Sequence, residues 1–234
     1  MPPGSIAIPP WFSVSRDGDT AAVFIGDEIG IGASAGDLLN QLEGVSRVDL
    51  AINSHGGDSE AALQIMDSLK GRTPEATITG AWQSAAVTLG MCADRIRIEA
   101  GAEVMIHRPC LWVYGQAGDL RQSADRLDRI EARVRELLKV RIGQEAADNV
   151  LGPFDTHLNA IHAVSLGLAD EVFSLPAMPE AVNPPAHNDA ANAGPEDAEA
   201  LFFLLRAFGP VTVQDRTRFA HALASWGFYN SRTA

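Results

Sequence analysis

The sequence predicts an α/β fold organised around a mostly parallel sheet. Short apolar strands alternate with helices over roughly residues 20–174, and the links between them are short. One helix, which begins near Ser84, is apolar on every side, as is typical of a helix buried in a core. Strands that alternate with helices favour parallel pairing through right-handed crossovers, and in such sheets functional sites form at the carboxyl ends of the strands.

The elements follow the spacing of apolar residues along the chain. Short apolar runs predict strands, and apolar residues three or four positions apart predict the buried faces of helices. In chain order we expect a strand at 21–25, a helix at about 35–44, a strand at 48–52, a helix up to Lys70, a strand ending at Gly80, the buried helix from Ser84, strands at 95–98 and 103–107, a long helix at 119–142, a small helix after 149, and a strand at 171–173.

The long helix at 119–142 carries one apolar stripe, and Asp, Glu and Arg fill its other faces. Those charges are typical of a solvated helix surface with ion pairs three or four residues apart. A helix of this length with a single stripe predicts packing against something outside a compact monomer, so we expect a homo-oligomer. The stripe consists of Leu120, Ala124, Leu127, Ile130, Val134, Leu137 and Leu138.

The remaining segments predict the limits of the main domain. Residues 1–15 contain several prolines and are expected to form a tail before a domain at 16–174. Residues 175–199 are rich in Pro, Ala and Asn, which predicts a linker. Apolar residues return at 200–234, where we expect a small helical extension that docks onto the main domain or a neighbouring subunit because it is too small for its own core.

Composition excludes several classes of function. The formal net charge is −12 and the chain has only two lysines, so a nucleic-acid partner or an anionic membrane surface is disfavoured. Neither Lys70 nor Lys139 is followed by Ser or Thr, so the chain lacks a P-loop, and any ATP-driven step must come from a partner.

Cysteine usage and hydropathy indicate a soluble, cytoplasmic protein. Cys92 and Cys110 lie in apolar surroundings and match no metal spacing, so we expect small core residues of a reducing compartment and no metal or cofactor. The N-terminal residues lack a basic segment followed by an apolar run, and no apolar stretch is long enough to span a membrane.

Three candidate functional groups lie at predicted strand ends: the pair Gly56-Gly57, Ser84 and His107. Ser84 precedes a helix, where its hydroxyl is either an N-cap or a nucleophile. A hydrolytic serine needs a base and donors for an oxyanion, for which His107 and the backbone N–H groups of the glycine pair and Ala85 are candidates. The other histidines lie in the predicted linker or extension (His187, His221), or are spaced so that they share no helical face (His157, His162), which also disfavours a metal site.

These residues fall in segments that resemble the proteolytic subunit of Clp protease. The family's motifs NSPGG, GxxxS, MIHxP and EAxxxGLxD are matched in order and spacing, and the likeness includes the start of the long helix. The matching segments are 53–57 (NSHGG), 80–84 (GAWQS), 105–109 (MIHRP), 114–120 (YGQAGDL) and 163–170 (AVSLGLAD).

The resemblance implies a Clp protease/crotonase-like fold of repeated β-β-α units with a long protruding helix. It also implies a serine endopeptidase that cleaves protein or peptide substrates in a homo-oligomeric ring without a cofactor. The family's nucleophile falls on Ser84, its base on His107 and, counting back from Asp170, its acid on Asp155. The family's oxyanion donors fall on the backbone N–H groups of Gly57 and Ala85.

Within that family, the chain is most similar to the phage and prophage head maturation proteases. Asp58 after the glycine pair and the segment 26–30 (GDEIG) carry this likeness, which implies capsid proteins as partners. The alternatives are a housekeeping degradative peptidase that works with an ATPase unfoldase, a catalytically silent scaffold, and an acyl-CoA enzyme of the crotonase class.

The sequence departs from the family pattern beside the expected site. His55 replaces the proline of NSPGG, and Trp82 and Gln83 replace small residues before the nucleophile. These three residues and Gly56 are therefore candidates for the substrate groove.

Overall fold

An eight-stranded sheet runs through residues 10–174, the part of the chain that the computed structural model describes. Residues 1–9, the predicted linker at 175–199 and the predicted extension at 200–234 lie outside the described residues. The strands are β1 (Phe12–Asp17), β2 (Thr20–Ile29), β3 (Arg47–Gly57), β4 (Glu75–Gln83), β5 (Arg95–Glu99), β6 (Glu103–Ile106), β7 (Thr156–Asn159) and β8 (Glu171–Phe173). The helices are α1 (Ala35–Gln41), α2 (Ser59–Leu69), α3 (Ala85–Gly90), α4 (Ala117–Ile142), α5 (Gln144–Val150) and α6 (Ala160–Ser165).

The sheet is mostly parallel, as the alternation of strands and helices predicts. Its main path runs β1-β2-β3-β4-β5-β8, and only the β1–β2 pair on that path is antiparallel. A branch leaves the path at β4, which also pairs in parallel with β6, and β6 then pairs antiparallel with β7. The predicted α/β fold is confirmed. The branch brings one end each of β4, β6 and β7 to the same side of the sheet.

The central strand β4 is longer than the sequence predicts. Residues 75–78 pair with β5, and the next partners are Ala81, Trp82 and Gln83, which pair with β6. The prediction that this strand ends at Gly80 is therefore wrong. Its last residues form a strand because β6 supplies hydrogen-bond partners that no local pattern reveals.

The buried helix is the one that the sequence predicts. Every residue of α3 is buried, and α2 buries the predicted face of Ala62, Ile65, Met66 and Leu69. Trp82 is fully buried next to α3 and donates its indole N–H to the carbonyl of Ala86 at 2.9 Å. The end of β4 and the start of α3 are therefore held together by packing and by a side-chain hydrogen bond.

The long helix α4 is only half covered. Its second half buries Ile130, Val134 and Leu138, whereas Leu120 near its start is exposed. Arg126 donates two hydrogen bonds of 2.6 Å to the carboxylate of Glu60 on α2. The first half of the apolar stripe is thus left exposed by residues 10–174.

The N-terminal prediction is wrong in its boundary. Residues 12–17 form β1 rather than part of a tail, and Trp11 before them is buried, with its indole N–H donated to the carbonyl of Ala33 at 2.8 Å. The β1–β2 hairpin turns at Gly18, which has φ of +58°. The Asp-Gly pair at 17–18 is a hairpin signal that marks this turn in the sequence.

The two cysteines differ in their surroundings. Cys92 is buried as predicted, and burial raises the pKa of its thiol to about 12, so it remains protonated at neutral pH. Cys110 is exposed, so its assignment to the core is wrong. Cys110 lies beyond the end of β6, in a segment that is no longer part of the sheet. Its apolar neighbours in the sequence predicted burial, but they do not indicate where the strand ends.

Within residues 10–174, no helix is long and apolar enough to cross a bilayer.

Replacing Trp82 with alanine should lower the free energy of unfolding by about 3–5 kcal/mol, because the change removes a fully buried aromatic ring and leaves a cavity. Trp112 provides a matched control, since its side chain is fully exposed and Trp112→Ala should change stability by about 0.5 kcal/mol or less. Urea unfolding at one protein concentration measures both effects. Equal losses in the two variants would contradict the assignment of Trp82 to the core.

Candidate active site

Ser84 occupies a sharp turn between β4 and α3. Its backbone has φ of +53° and ψ of −124°, a conformation that costs free energy in any residue other than glycine. The Ser84 hydroxyl makes no capping hydrogen bond to α3, so the N-cap alternative is wrong. The Ser84 N–H donates to the carbonyl of Met105 at 2.8 Å, which holds the turn against β6.

The Ser84 hydroxyl instead meets His107. Their Oγ and Nε2 atoms lie 2.7 Å apart, a short hydrogen bond in which Nε2 accepts from the serine hydroxyl when the ring proton is on Nδ1. His107 comes directly after β6, and the parallel register that pairs Gln83 with Met105 brings the two strand ends side by side. The His107 side chain is 25% exposed, so it is reachable by a substrate at the surface.

Asp155 lies beside the other nitrogen of the same ring. The antiparallel register of β6 and β7 pairs Ile106 with Thr156, and one further step along the ladder sets Asp155 opposite His107. Asp155 Oδ1 is 3.9 Å from His107 Nδ1, which is longer than a hydrogen bond of roughly 3 Å. The Asp155 side chain is 59% exposed and approaches the ring from solvent.

The segment that carries Asp155 is anchored on both sides. The Arg108 Nε atom donates to the carbonyl of Leu151 at 3.0 Å, and the Thr156 hydroxyl donates to the carbonyl of Val150 at 3.1 Å. These bonds tie the segment to the residue that follows His107 and to the end of α5. The spacing between His107 and Asp155 therefore depends on local contacts as well as on the β6–β7 ladder.

The glycine pair at the end of β3 is required by close packing. Gly56 has φ of +100° and Gly57 has φ of +134°, both in the region that favours glycine. A Cβ atom on Gly56 would lie 2.7 Å from the Cβ of Ser84, and one on Gly57 would lie 2.4 Å from the carbonyl oxygen of Ile29. Gly56 is buried beneath Ser84, so its assignment to the groove surface is wrong, whereas Gly57 is exposed.

The same packing sets the end of β3 against the start of α3, and each of these two ends carries a candidate oxyanion donor. A Cβ on Gly56 would also lie 3.0 Å from the backbone nitrogen of Ala85, so Gly56 lies against the first residue of α3. The N–H of Ala85 has no acceptor within its own helix because it belongs to the first turn. The N–H of Gly56 donates to the hydroxyl oxygen of Ser54 at 3.1 Å, so Gly56 is not available as an oxyanion donor. The candidate donors that remain are the N–H groups of Gly57 and Ala85.

Two residues that the sequence did not single out hold this segment in place. The ladder is irregular on both sides of β3, between Gly26 and Glu28 of β2 and after Ile52 opposite β4. The Ser54 hydroxyl donates to the carbonyl of Asp27 at the first irregularity, and Asn53 Oδ1 accepts the Ala81 N–H at 2.8 Å at the second. Their signal in the sequence is that Asn53 and Ser54 are two polar residues directly after the apolar run at 48–52.

The other groove candidates separate into two groups. Trp82 is fully buried, so its assignment to the substrate groove is wrong. Its side chain lies on the core face of β4. Gln83 is half-buried and His55 is exposed, and the Nδ1 atom of His55 lies 3.0 Å from Oε1 of Gln83. The surface next to Ser84 is therefore bordered by a His–Gln pair rather than by an indole.

A small pocket opens beside Ser84 and His107. Its polar members are Ser59 and Thr88, and most of its remaining wall is apolar. Helix α4 contributes to this wall through its buried second half. The apolar side chains of the wall are Val87, Met91, Ile106, Val134 and Leu138.

Nothing in the described residues suggests a metal centre at this site. Between residues 10 and 174, no three His, Cys, Asp or Glu side chains are grouped so that they could hold an ion. His157 lies on β7, where it pairs with Met105 of β6, and His162 lies on α6.

Comparisons with known proteins identify the family of the chain. Residues 20–175 match the Clp protease family, a range that contains Ser84, His107 and Asp155. A protein of Streptomyces coelicolor described as ATP-dependent Clp protease proteolytic subunit-like is 36% identical over 154 residues, which is 61% of this chain and 69% of that protein. The chain belongs to the Clp protease family.

Proposed function

We propose that this chain is a serine endopeptidase that uses Ser84 as its nucleophile and His107 as its general base. The 2.7 Å contact between Ser84 Oγ and His107 Nε2 carries the proposal, because a serine becomes a useful nucleophile only when a base can take its proton. The strained backbone at Ser84 supports it, since such strain persists mainly where function requires it.

The proposed reaction is acyl transfer from a peptide bond to the serine and then to water. Ser84 Oγ attacks the carbonyl carbon while His107 Nε2 takes its proton, and the protonated ring then gives that proton to the leaving amine. Water hydrolyses the resulting ester with His107 again acting as the base. The backbone N–H groups of Gly57 and Ala85 stabilise the negative charge on the tetrahedral intermediate.

Asp155 is the proposed third member of the triad. A carboxylate near Nδ1 holds the ring in the tautomer that accepts at Nε2 and stabilises the imidazolium that forms. The 3.9 Å separation is compatible with this role, because a small shift of either side chain brings the pair within hydrogen-bond distance and catalytic hydrogen bonds tighten when substrate binds.

Members of the Clp protease family form rings and act on protein substrates. The first half of the α4 stripe, which residues 10–174 leave exposed, supports assembly of this chain into a homo-oligomeric ring. The apolar pocket beside Ser84 supports a preference for an apolar side chain next to the cleaved bond.

Two biological roles are compatible with this chemistry. We favour a head maturation protease of the phage or prophage type, acting on capsid proteins, on the strength of Asp58 after the glycine pair and the segment 26–30. Asp58 also has a structural role, because its carboxylate caps α2 by accepting the N–H groups of Glu60 and Ala61. The ATP dependence in the description of the Streptomyces relative favours the second role, a degradative subunit that works with an ATPase partner.

A fluorophosphonate probe should label the purified wild-type chain and should fail to label Ser84→Ala, which keeps the fold but lacks the nucleophile. Sizing the same sample should find the labelled species in a large oligomer. Absence of labelling in every species would support the silent scaffold instead. Binding of a CoA thioester that survives Ser84→Ala would support the crotonase alternative.

Replacing Asp155 with asparagine should lower kcat for a peptide ester by about 10²- to 10⁴-fold, because the neutral amide cannot stabilise the imidazolium and favours the wrong tautomer. Asp128→Asn is a matched control, since it removes the same charge from an exposed position on α4. Equal rates in wild type and Asp155→Asn would remove Asp155 from the triad.

The change Gly56→Ala should slow fluorophosphonate labelling at least 10-fold, since its Cβ would push against Ser84 and so displace the nucleophile from the oxyanion donors. Gly44→Ala is the control, because Gly44 also has positive φ, +74°, but nothing lies within 4 Å of its Cβ position. It should lose stability without losing labelling. A similar loss of labelling in both variants would mean that backbone strain, rather than contact with Ser84, explains the effect.

A further inference from the structure

The segment that carries the oxyanion donor Gly57 is fixed firmly at both ends. At its start, Asn53 accepts from the Ala81 N–H of β4, and Ser54 donates to the Asp27 carbonyl of β2. At its end, the N–H of Asp58 donates to the carbonyl of Ile29 at 2.9 Å. Between these anchors lie His55, Gly56 and Gly57. Glycine has the widest backbone conformational freedom of any residue.

Position 55 is where this chain lacks a restraint that the motif NSPGG contains. A proline holds its own φ near −65° and so stiffens the chain that precedes the glycines. Histidine supplies no such restraint through its backbone. The direction of the Gly57 N–H must therefore depend on other contacts of the segment.

One contact made by His55 meets this need. Its Nδ1 atom lies 3.0 Å from Oε1 of Gln83, the residue directly before Ser84. Because an amide oxygen only accepts, the Nδ1 of His55 carries the proton and donates. The hydrogen bond thus joins the residue before the glycine pair to the residue before the nucleophile.

We propose that His55 and Gln83 are positioning residues that hold the Gly57 N–H and the Ser84 hydroxyl in register for oxyanion stabilisation. This inference rests on the proposed peptidase function and extends it to two side chains that perform no chemistry themselves. Ser84 Oγ already has its proton acceptor in His107 Nε2, so a second base is not required at His55.

The hydrogen bond between His55 and Gln83 is suited to a role in the transition state rather than in substrate binding. Gly57 is the exposed last residue of β3, so a small rotation of the peptide between Gly56 and Gly57 would turn its N–H away from the oxyanion. Oxyanion donors act only as charge develops on the carbonyl oxygen. Loss of the His55–Gln83 bond should therefore lower kcat and leave KM nearly unchanged.

The test compares side chains of similar size with and without the hydrogen bond. His55→Phe keeps an aromatic ring but has no donor, and Gln83→Met keeps the length of the side chain but has no amide acceptor. Each should lower kcat for a peptide ester about 5-fold, the effect expected from one neutral hydrogen bond. His55→Asn, whose amide N–H can replace that of Nδ1, should restore most of the rate lost in His55→Phe.

Two further measurements separate positioning from general destabilisation. The double variant His55→Phe/Gln83→Met should be no slower than either single variant, because all three lack the same bond. The inhibition constant of a peptide aldehyde, which forms a tetrahedral adduct with the serine, should rise by the factor by which kcat/KM falls. The thermal midpoint of each variant should stay close to that of wild type.

The outcomes distinguish this proposal from the function on which it rests. If wild type reacts with a fluorophosphonate and the variants match its kcat, or if the double variant shows additive losses, the positioning role is wrong and the peptidase assignment stands. A rise in KM with unchanged kcat would also overturn it, since that result indicates contact with substrate. If wild type fails to react while folded and assembled, both proposals fail.

Discussion

The short parallel pairing between the end of β4 and β6 is the constraint on which the rest of the site depends. It extends β4 to Gln83, so that Ser84 must turn directly into the buried helix α3 with a strained backbone. It sets His107 beside Ser84, since the two residues follow neighbouring strands. The antiparallel partner β7 then brings Asp155 to the same ring. Three segments far apart in the chain thus meet through one branch of the sheet.

The opposite wall of the site is built from β3 by a different means. There the regular ladder fails on both sides of the strand, and the side chains of Asn53 and Ser54 replace the missing backbone partners. Because buried backbone groups must be paired, these two side chains compensate for the hydrogen bonds that the irregular ladder loses. Beyond the irregularities, β3 continues along β2, with Gly56 packed against Ser84 and Gly57 exposed.

Strain at Ser84 is balanced by the core beneath it. Helix α3 is buried along its whole length, and Trp82 fills the space under the turn while bonding to Ala86. A left-handed backbone at a residue with a side chain costs on the order of 1–3 kcal/mol, which packing of this kind can offset. The second half of α4 lines the neighbouring pocket, while residues 10–174 leave the first half of its apolar stripe exposed.

Local pattern and motif spacing by themselves determined the α/β class, the buried helix, the buried face of α2, and the residues Ser84, His107 and Asp155 as candidates. These features depend on residue type and spacing, which a sequence records directly. Tertiary structure alone decided that β4 reaches Gln83, that Trp82 belongs to the core, and that His55 meets Gln83. Each of these depends on pairing or packing between segments distant along the chain. Such contacts arise from register and close approach, and a pattern of neighbouring residues contains neither.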